Sequence, residues 1–166
     1  MARNRTIPDS QVFAAIQGLL DQGGEKSVSF GTVAQATGLA ASSLVQRYGS
    51  LPGMLRATRN AAWDALEART AAAIETTSGK GPQALLKALG NPDAASLASD
   101  LRGPELRARA QSWRGGLEAA LAARLGGGSR AAESAALLFA AWQGQALWRR
   151  AGTSGFKLKD AVKRLG

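Results

Sequence analysis

Apolar residues recur at helical spacing near the start of the chain. Five of them fall on one stripe of a helix: Val12, Phe13, Ile16, Leu19 and Leu20. Asp9 or Ser10 is predicted to cap the N-terminus of this helix, because short polar side chains accept hydrogen bonds from first-turn N–H groups. Gly23 and Gly24 are predicted to end it, because glycine takes the left-handed conformation at little cost.

Two shorter helical runs follow in the stretch GTVAQATGLAASSLVQRYGS, residues 31–50. Ser29 is the predicted N-cap of the first run, and Gly38 separates the two. The predicted bounds are about 30–37 for the first run and 41 or 42 to 48 for the second. Small polar residues dominate the second run, whose apolar positions are few.

Glycine and proline divide the rest of the chain into further helical segments. A long fourth helix has Pro52 in its first turn, where a missing N–H costs nothing, and extends to about Thr76. Later helices are predicted at 82–89, from 90–92 to 101, at 104–125, at 129–151 with Ser129 as its cap, and at 156–165. Val, Ile, Phe and Tyr are scarce and do not alternate, so strands are not expected. The predicted fold is all-α, with domains at 1–50 and 51–166.

The two short runs joined by a glycine turn, and braced by the first helix, predict a helix-turn-helix. Its second helix would lie in the major groove, where small hydroxyls let the backbone approach phosphates and base edges. A helical hairpin without a ligand is the alternative. Tyr48 also suits a core position, Ser42 and Ser43 also suit a helix cap, and an exposed Gln46 is ordinary.

Residues 7–58 resemble the N-terminal domain of tetracycline-repressor (TetR) type transcriptional regulators. The resemblance covers VFAAIQGLLDQGG, VSFGTVAQATGLAAS and LVQRYGSLPGML, in order and without gaps. It implies an all-helical homodimer in which three helices bind double-stranded DNA. The fourth helix would lead to a short C-terminal domain for dimerisation and a small apolar effector. The residues predicted to contact DNA are Arg3, Arg5, Ser29, Thr32, Ser42, Ser43, Gln46 and Arg47.

Three positions depart from the family's usual pattern. Val45 and Leu51 stand where the family commonly has a tyrosine and a lysine that contact phosphate. Ala40 stands where a serine or threonine commonly caps the third helix. DNA binding is therefore expected to be weaker or differently distributed. A dimeric ligand-binding or interaction module that has lost DNA binding is the competing function.

The amino-acid composition limits which functions and partners are expected. The formal net charge is +9, which favours a polyanionic partner. The excess is concentrated in residues 1–60, with six basic and three acidic residues, and in 149–166, with six and one. The chain has no cysteine and no histidine, so we predict no catalytic residues, metal site or cofactor. Without a long apolar run or a secretory signal, the expected location is the cytoplasm, and membrane-surface binding through the basic tail is a weaker alternative.

Two groups of residues in the later helices are candidates for ligand and subunit contacts. Trp63, Trp113 and Trp142 are predicted to line an effector pocket, with core packing as the alternative. The 129–151 helix is predicted to form the dimer interface, because small and large apolar residues alternate on one stripe. The residues on that interface are Leu137, Leu138, Ala141, Gly144 and Trp148, and packing on the protomer's own core is the alternative.

Overall fold

A computed structural model describes residues 7–91, 94–152 and 157–165 of the chain. Within these ranges the protein contains nine α-helices and no strand, as the sequence predicts. The helices are α1 (Asp9–Gly23), α2 (Phe30–Thr37), α3 (Ala41–Tyr48), α4 (Leu51–Thr76), α5 (Pro82–Leu89), α6 (Ala94–Asp100), α7 (Pro104–Arg124), α8 (Gly128–Trp148) and α9 (Leu158–Leu165). Short 3-10 turns occupy Glu25–Ser27 and Arg149–Ala151.

The chain divides into two compact units, Met1–Leu66 and Glu67–Gly166. We call them the N-terminal unit and the C-terminal unit. The boundary falls inside α4, so this helix contributes residues to both. The predicted division into domains at 1–50 and 51–166 stays a prediction.

The N-terminal unit is built on one apolar cluster. Its buried members come from α1 to α4 and the segments before and between them: Ile7, Val12, Ile16, Val28, Val33, Leu44 and Met54. The other members of the predicted α1 stripe pack against this cluster while remaining partly exposed. Leu44 is fully buried and is the apolar anchor of α3. Each helix therefore presents a narrow apolar face inward, as the helical periodicity predicts.

Helix ends follow the predicted signals in α2 and at the C-terminus of α1, which ends at Gly23 with Gly24 as its C-cap, and depart from them at the N-termini of α1 and α8. Ser29 caps α2 as predicted, and Gly38 takes the left-handed conformation after it, with a φ of 74°. The predicted caps Asp9 or Ser10 are wrong, because α1 already begins at Asp9, with Pro8 at the N-cap. The Asp9 carboxylate binds α3 instead. Ser129 is also not a cap, since α8 begins at Gly128 after Gly127.

The C-terminal unit packs leucine and aromatic side chains from α5, α7 and α8. Leu85, Leu117, Leu121 and Leu138 are fully buried in it. Phe139 makes edge-to-face contacts with Trp113 and Trp142, with ring centroids 5.8 and 6.1 Å apart. Such aromatic pairs stabilise a core beyond the area that they bury. The predicted last helix begins at Leu158 rather than Phe156, and Phe156 lies outside the described residues.

Candidate nucleic-acid interface

The third helix is attached to the N-terminal unit through one side of its surface. Leu44 is buried, Tyr48 is half-buried, and the other six residues of α3 are exposed. The exposed residues are Ala41, Ser42, Ser43, Val45, Gln46 and Arg47. Residues 38–40 join α2 to α3, and the left-handed Gly38 makes the close turn between them possible. A short helix is thereby held by its inner side with its outer side available to a ligand.

The N-terminus of α3 has no side-chain cap. Ala40 occupies the N-cap position, and a methyl group cannot accept a hydrogen bond from the first-turn N–H groups. Ser42 and Ser43, which follow it, are exposed, and neither hydroxyl bonds to another residue that the structure describes. Backbone donors and small hydroxyl groups are therefore clustered at this end of the helix. Such groups suit contacts with phosphate oxygens.

The other end of α3 is tied to α1 by three side chains, which we call the Asp9 clamp: Asp9, Arg47 and Tyr48. The Tyr48 hydroxyl donates to Asp9 Oδ1 at 2.6 Å. Arg47 Nη1 donates to Asp9 Oδ1 at 3.1 Å and to the Ile7 carbonyl at 3.0 Å. Burial, followed by the hydrogen bond to Asp9, raises the pKa of Tyr48 to about 12. The clamp therefore fixes the last turn of α3 against the start of α1.

The predicted contacts from α2 have a structural use of their own. Thr32 N–H donates to Ser29 Oγ at 3.0 Å, and Ser29 N–H donates to Thr32 Oγ1 at 2.9 Å. Thr32 Oγ1 also donates to the Ser27 carbonyl at 2.9 Å. These bonds form a capping box, which satisfies first-turn donors of α2. DNA contact by Ser29 and Thr32 stays a prediction, and the Arg3 and Arg5 arm lies outside the described residues.

Two further cations in the N-terminal unit are exposed. Lys26 lies in the 3-10 turn after α1 and Arg56 lies near the start of α4. Neither makes an ion pair with any residue in the described ranges. Arg59, by contrast, pairs with Glu25. The sequence analysis did not select Lys26 as a DNA contact. The excess of positive charge in residues 1–60 points to this region, but the sequence does not show which of its cations form ion pairs.

The arrangement of helices agrees with that of a known transcriptional regulator. The chain is similar to the crystal structure of PfmR, a TetR family transcriptional regulator from Thermus thermophilus, with a TM-score of 0.61. The similarity covers 93% of each chain, at 17% sequence identity. The protein has the TetR-type fold. No protein-family model and no curated protein matches the sequence.

The predicted all-α class is confirmed. The three tryptophans predicted to line an effector pocket are buried. Trp113 Nε1 donates to Thr70 Oγ1 at 2.9 Å, and Trp142 Nε1 donates to the Gly90 carbonyl at 3.1 Å. Trp63 is buried and belongs to the N-terminal unit. Core packing therefore accounts for the burial of Trp113 and Trp142, and the effector pocket stays a prediction.

The eighth helix exposes two of the five predicted interface residues and partly exposes two more. Leu137 is 58% exposed and Trp148 is 66% exposed, while Ala141 and Gly144 are half-buried. Leu138 is fully buried in the protomer's own core, because it lies about 100° around the helix from Leu137. It offers no exposed surface and is removed from the candidate interface. Leu147, which the sequence analysis did not select, is exposed on the same helix.

Across the described residues, no helix of this TetR-type fold has the length and apolar character needed to cross a membrane.

Proposed function

We propose that the protein is a DNA-binding transcriptional regulator that binds a palindromic operator as a homodimer. The observation that supports it is the exposed polar face of α3, held at its inner side by Leu44 and the Asp9 clamp in a TetR-type fold. A recognition helix lies in the major groove and contacts base edges with its outer face. The outer face of α3 is exposed, which supports this role for it.

The proposed contacts fall into two groups. Ser42, Ser43 and the uncapped N-terminus of α3 approach the DNA, where Gln46 contacts a base edge. Lys26 and Arg56 supply positive charge for phosphates. Arg47 would have to leave the Asp9 clamp to contact DNA, so we assign it to positioning α3. Leu51 packs on the apolar cluster, and Lys26 and Arg56 take the place of the phosphate contact that a lysine there would make.

A selection from random duplexes by the purified protein at low salt tests this function. The expected result is an enriched palindromic sequence, bound with an affinity that falls as salt rises. Arg56→Gln should lower the slope of log affinity against log salt by about two units, since one phosphate contact is lost in each half-site. Lys87→Gln is the matched control, because Lys87 is an exposed cation of the C-terminal unit. Its slope should equal that of the wild type.

Absence of binding to any duplex at low salt would contradict the proposal. The dimeric interaction module would then be the better explanation. The ion pair of Arg47 with Asp9 supports it, as do Val45 and Leu51, which replace residues that commonly contact phosphate in the family. An equal fall in slope for Lys87→Gln would instead assign the salt dependence to the overall charge of the protein.

For the dimer, we propose that the exposed residues of α8 contact a second copy. Leu137, Leu147 and Trp148 supply apolar area, and the space beside Gly144 is open within the protomer. Gly144→Glu should therefore fold and yield monomers in sedimentation experiments. Gly115→Glu is the control, because Gly115 is exposed on α7 with open space beside it. A dimer that survives Gly144→Glu would place the interface elsewhere.

Release of the operator by a small apolar effector, which would make the protein a repressor, is the last part of the proposal. The C-terminal unit contains the aromatic cluster of Trp113, Phe139 and Trp142, whose rings are buried in its core, so an effector would have to open this core to contact them. Binding there should change tryptophan fluorescence and lower affinity for the selected duplex together. A fluorescence change without any effect on DNA affinity would contradict this part alone.

A further inference from the structure

The charge of the helix-turn-helix restricts which bases it is able to read. Residues 30–48, which contain α2 and α3, include one cation, Arg47, and no aspartate or glutamate. The strongest side-chain contact with guanine is a bidentate arginine or lysine to O6 and N7, and the contact with the cytosine amino group comes from a carboxylate. Neither helix therefore has a carboxylate that could contact the cytosine amino group.

Arg47 is not positioned to supply the guanine contact. Its guanidinium donates to Asp9 and to the Ile7 carbonyl on the side of α3 that faces α1. The exposed face of α3 thus has no carboxylate and no unengaged cation for a G·C base pair, whereas Ser42 and Ser43 suit either kind of pair.

The groups that remain suit A·T base pairs. Val45 is 43% exposed and is the single large apolar side chain so exposed in the described part of the N-terminal unit. An exposed apolar group in the major groove contacts the 5-methyl group of thymine. Gln46, its neighbour, is exposed and makes no hydrogen bond within the described residues. Glutamine bonds both N6 and N7 of adenine.

We infer that α3 reads A·T base pairs, with Val45 contacting a thymine methyl group and Gln46 an adenine edge. The operator half-sites would then have A·T pairs at the positions facing the middle of α3. This inference rests on the proposed function and specifies its substrate. It also accounts for Val45, which has no hydroxyl for the phosphate contact that a tyrosine commonly makes at this position. The methyl contact removes from water an apolar side chain that the free protein exposes.

Replacing single thymines of the selected duplex by deoxyuridine tests the contact directly, because the change removes the methyl group and keeps the base pair. With wild-type protein, one such replacement in each half-site should lower affinity about fifteenfold, since each of the two lost methyl contacts contributes about fourfold. Val45→Ala should weaken binding to the thymine duplex by a similar factor. The affinity of this variant should not change further when deoxyuridine replaces thymine at the same position.

Two further variants test the Gln46 contact and control for the loss of an exposed apolar side chain. Gln46→Ala should lower the preference for adenine at one position, about tenfold, and keep the deoxyuridine effect. Leu101→Ala is the matched control for loss of an exposed apolar side chain, because Leu101 is 45% exposed and belongs to the C-terminal unit. It should bind like the wild type and keep the deoxyuridine effect.

The outcomes separate this inference from the proposed function. Enrichment of G·C pairs in both half-sites overturns the inference and leaves DNA binding intact. Enrichment of A·T pairs with no deoxyuridine effect, or with the same effect in Val45→Ala, assigns the preference to DNA shape and also overturns it. A protein that binds no duplex at low salt overturns the proposed function and the inference together.

Discussion

The helices α2 and α3 are equally long and are held in place in different ways. Each has eight residues, and each ends at a glycine with a φ of 74°. The N-terminus of α2 is closed by the Ser29–Thr32 capping box, whereas that of α3 has no side-chain cap. Both helices bury one apolar residue in the cluster, Val33 in α2 and Leu44 in α3, and α3 is also held by the Asp9 clamp. The serine hydroxyls at the start of α3 make no hydrogen bond within the described residues, whereas the side-chain hydroxyls at the start of α2 are used by its cap.

The largest expected effect concerns the apolar anchor of α3. Leu44→Ala should lower the free energy of unfolding by about 3 kcal/mol, because it leaves a cavity in a fully buried position. Val45→Ala, one residue away on the exposed side, should change it by less than about 0.5 kcal/mol. Chemical denaturation of the two variants provides the measurement. Similar values for both would contradict the distinction between the inner and outer faces of α3.

The Asp9 clamp predicts a smaller effect that depends on pH. Tyr48→Phe removes a hydrogen bond to a carboxylate and should cost about 1.5 kcal/mol near neutral pH. The pKa of Tyr48 is raised to about 12 from 10.0, so folding favours the neutral phenol. Its stabilising effect is complete below about pH 10 and is lost as pH rises towards 12. The difference in stability between wild type and Tyr48→Phe should therefore shrink over this interval.

The same clamp is open to direct titration, because Tyr48 is the single tyrosine of the chain. The ultraviolet absorbance of tyrosinate should appear near pH 12 in the wild type and at lower pH in Asp9→Ala. A wild-type midpoint near pH 10, about the ordinary value for tyrosine, would show that the clamp is open in solution.

The capping box of α2 predicts a change of about 1 kcal/mol. Ser29→Ala should destabilise the protein by this amount, because first-turn donors of α2 lose their acceptor. Ser43→Ala is the control, since its hydroxyl makes no hydrogen bond within the described residues. Thermal unfolding should show a lower midpoint for the first variant alone. Equal shifts would mean that α2 does not depend on its cap.

The smallest expected effect is a gain. Ala40→Ser gives α3 the cap that it lacks and should stabilise the protein by about 0.5 kcal/mol. Ala41→Ser, one position into the helix, should instead destabilise it slightly, because serine is a weaker helix former than alanine. If denaturation midpoints of the two variants move in the same direction, the start of α3 is not limited by capping.

The difference between α2 and α3 also decides what can be predicted from sequence. The bounds of α2 follow from local signals, Ser29 before it and Gly38 after it, and both predictions are confirmed. The Asp9 clamp joins residues 38 and 39 positions apart, and no local pattern reports such a contact. Aspartate favours N-caps, which is why the sequence predicts a cap at Asp9, but the tertiary partners prevail.

A similar limit applies to the C-terminal unit. Helical periodicity places Leu137 and Leu138 near one stripe, although one residue of rotation separates an exposed position from a fully buried one. The sequence assigns Trp113 and Trp142 to an effector pocket or to the core. Their hydrogen bonds to Thr70 and Gly90 come from distant parts of the chain, so the sequence cannot choose between the two.

The Asp9 clamp also bears on how quickly the protein would find DNA. Joining residues about 40 positions apart requires closure of a long loop, and the loss of chain entropy occurs when the protein folds. Under the proposed function, α3 would then be ordered before it meets the duplex. Association would need no conformational search in α3, and its rate would be governed by diffusion, orientation and long-range charge attraction.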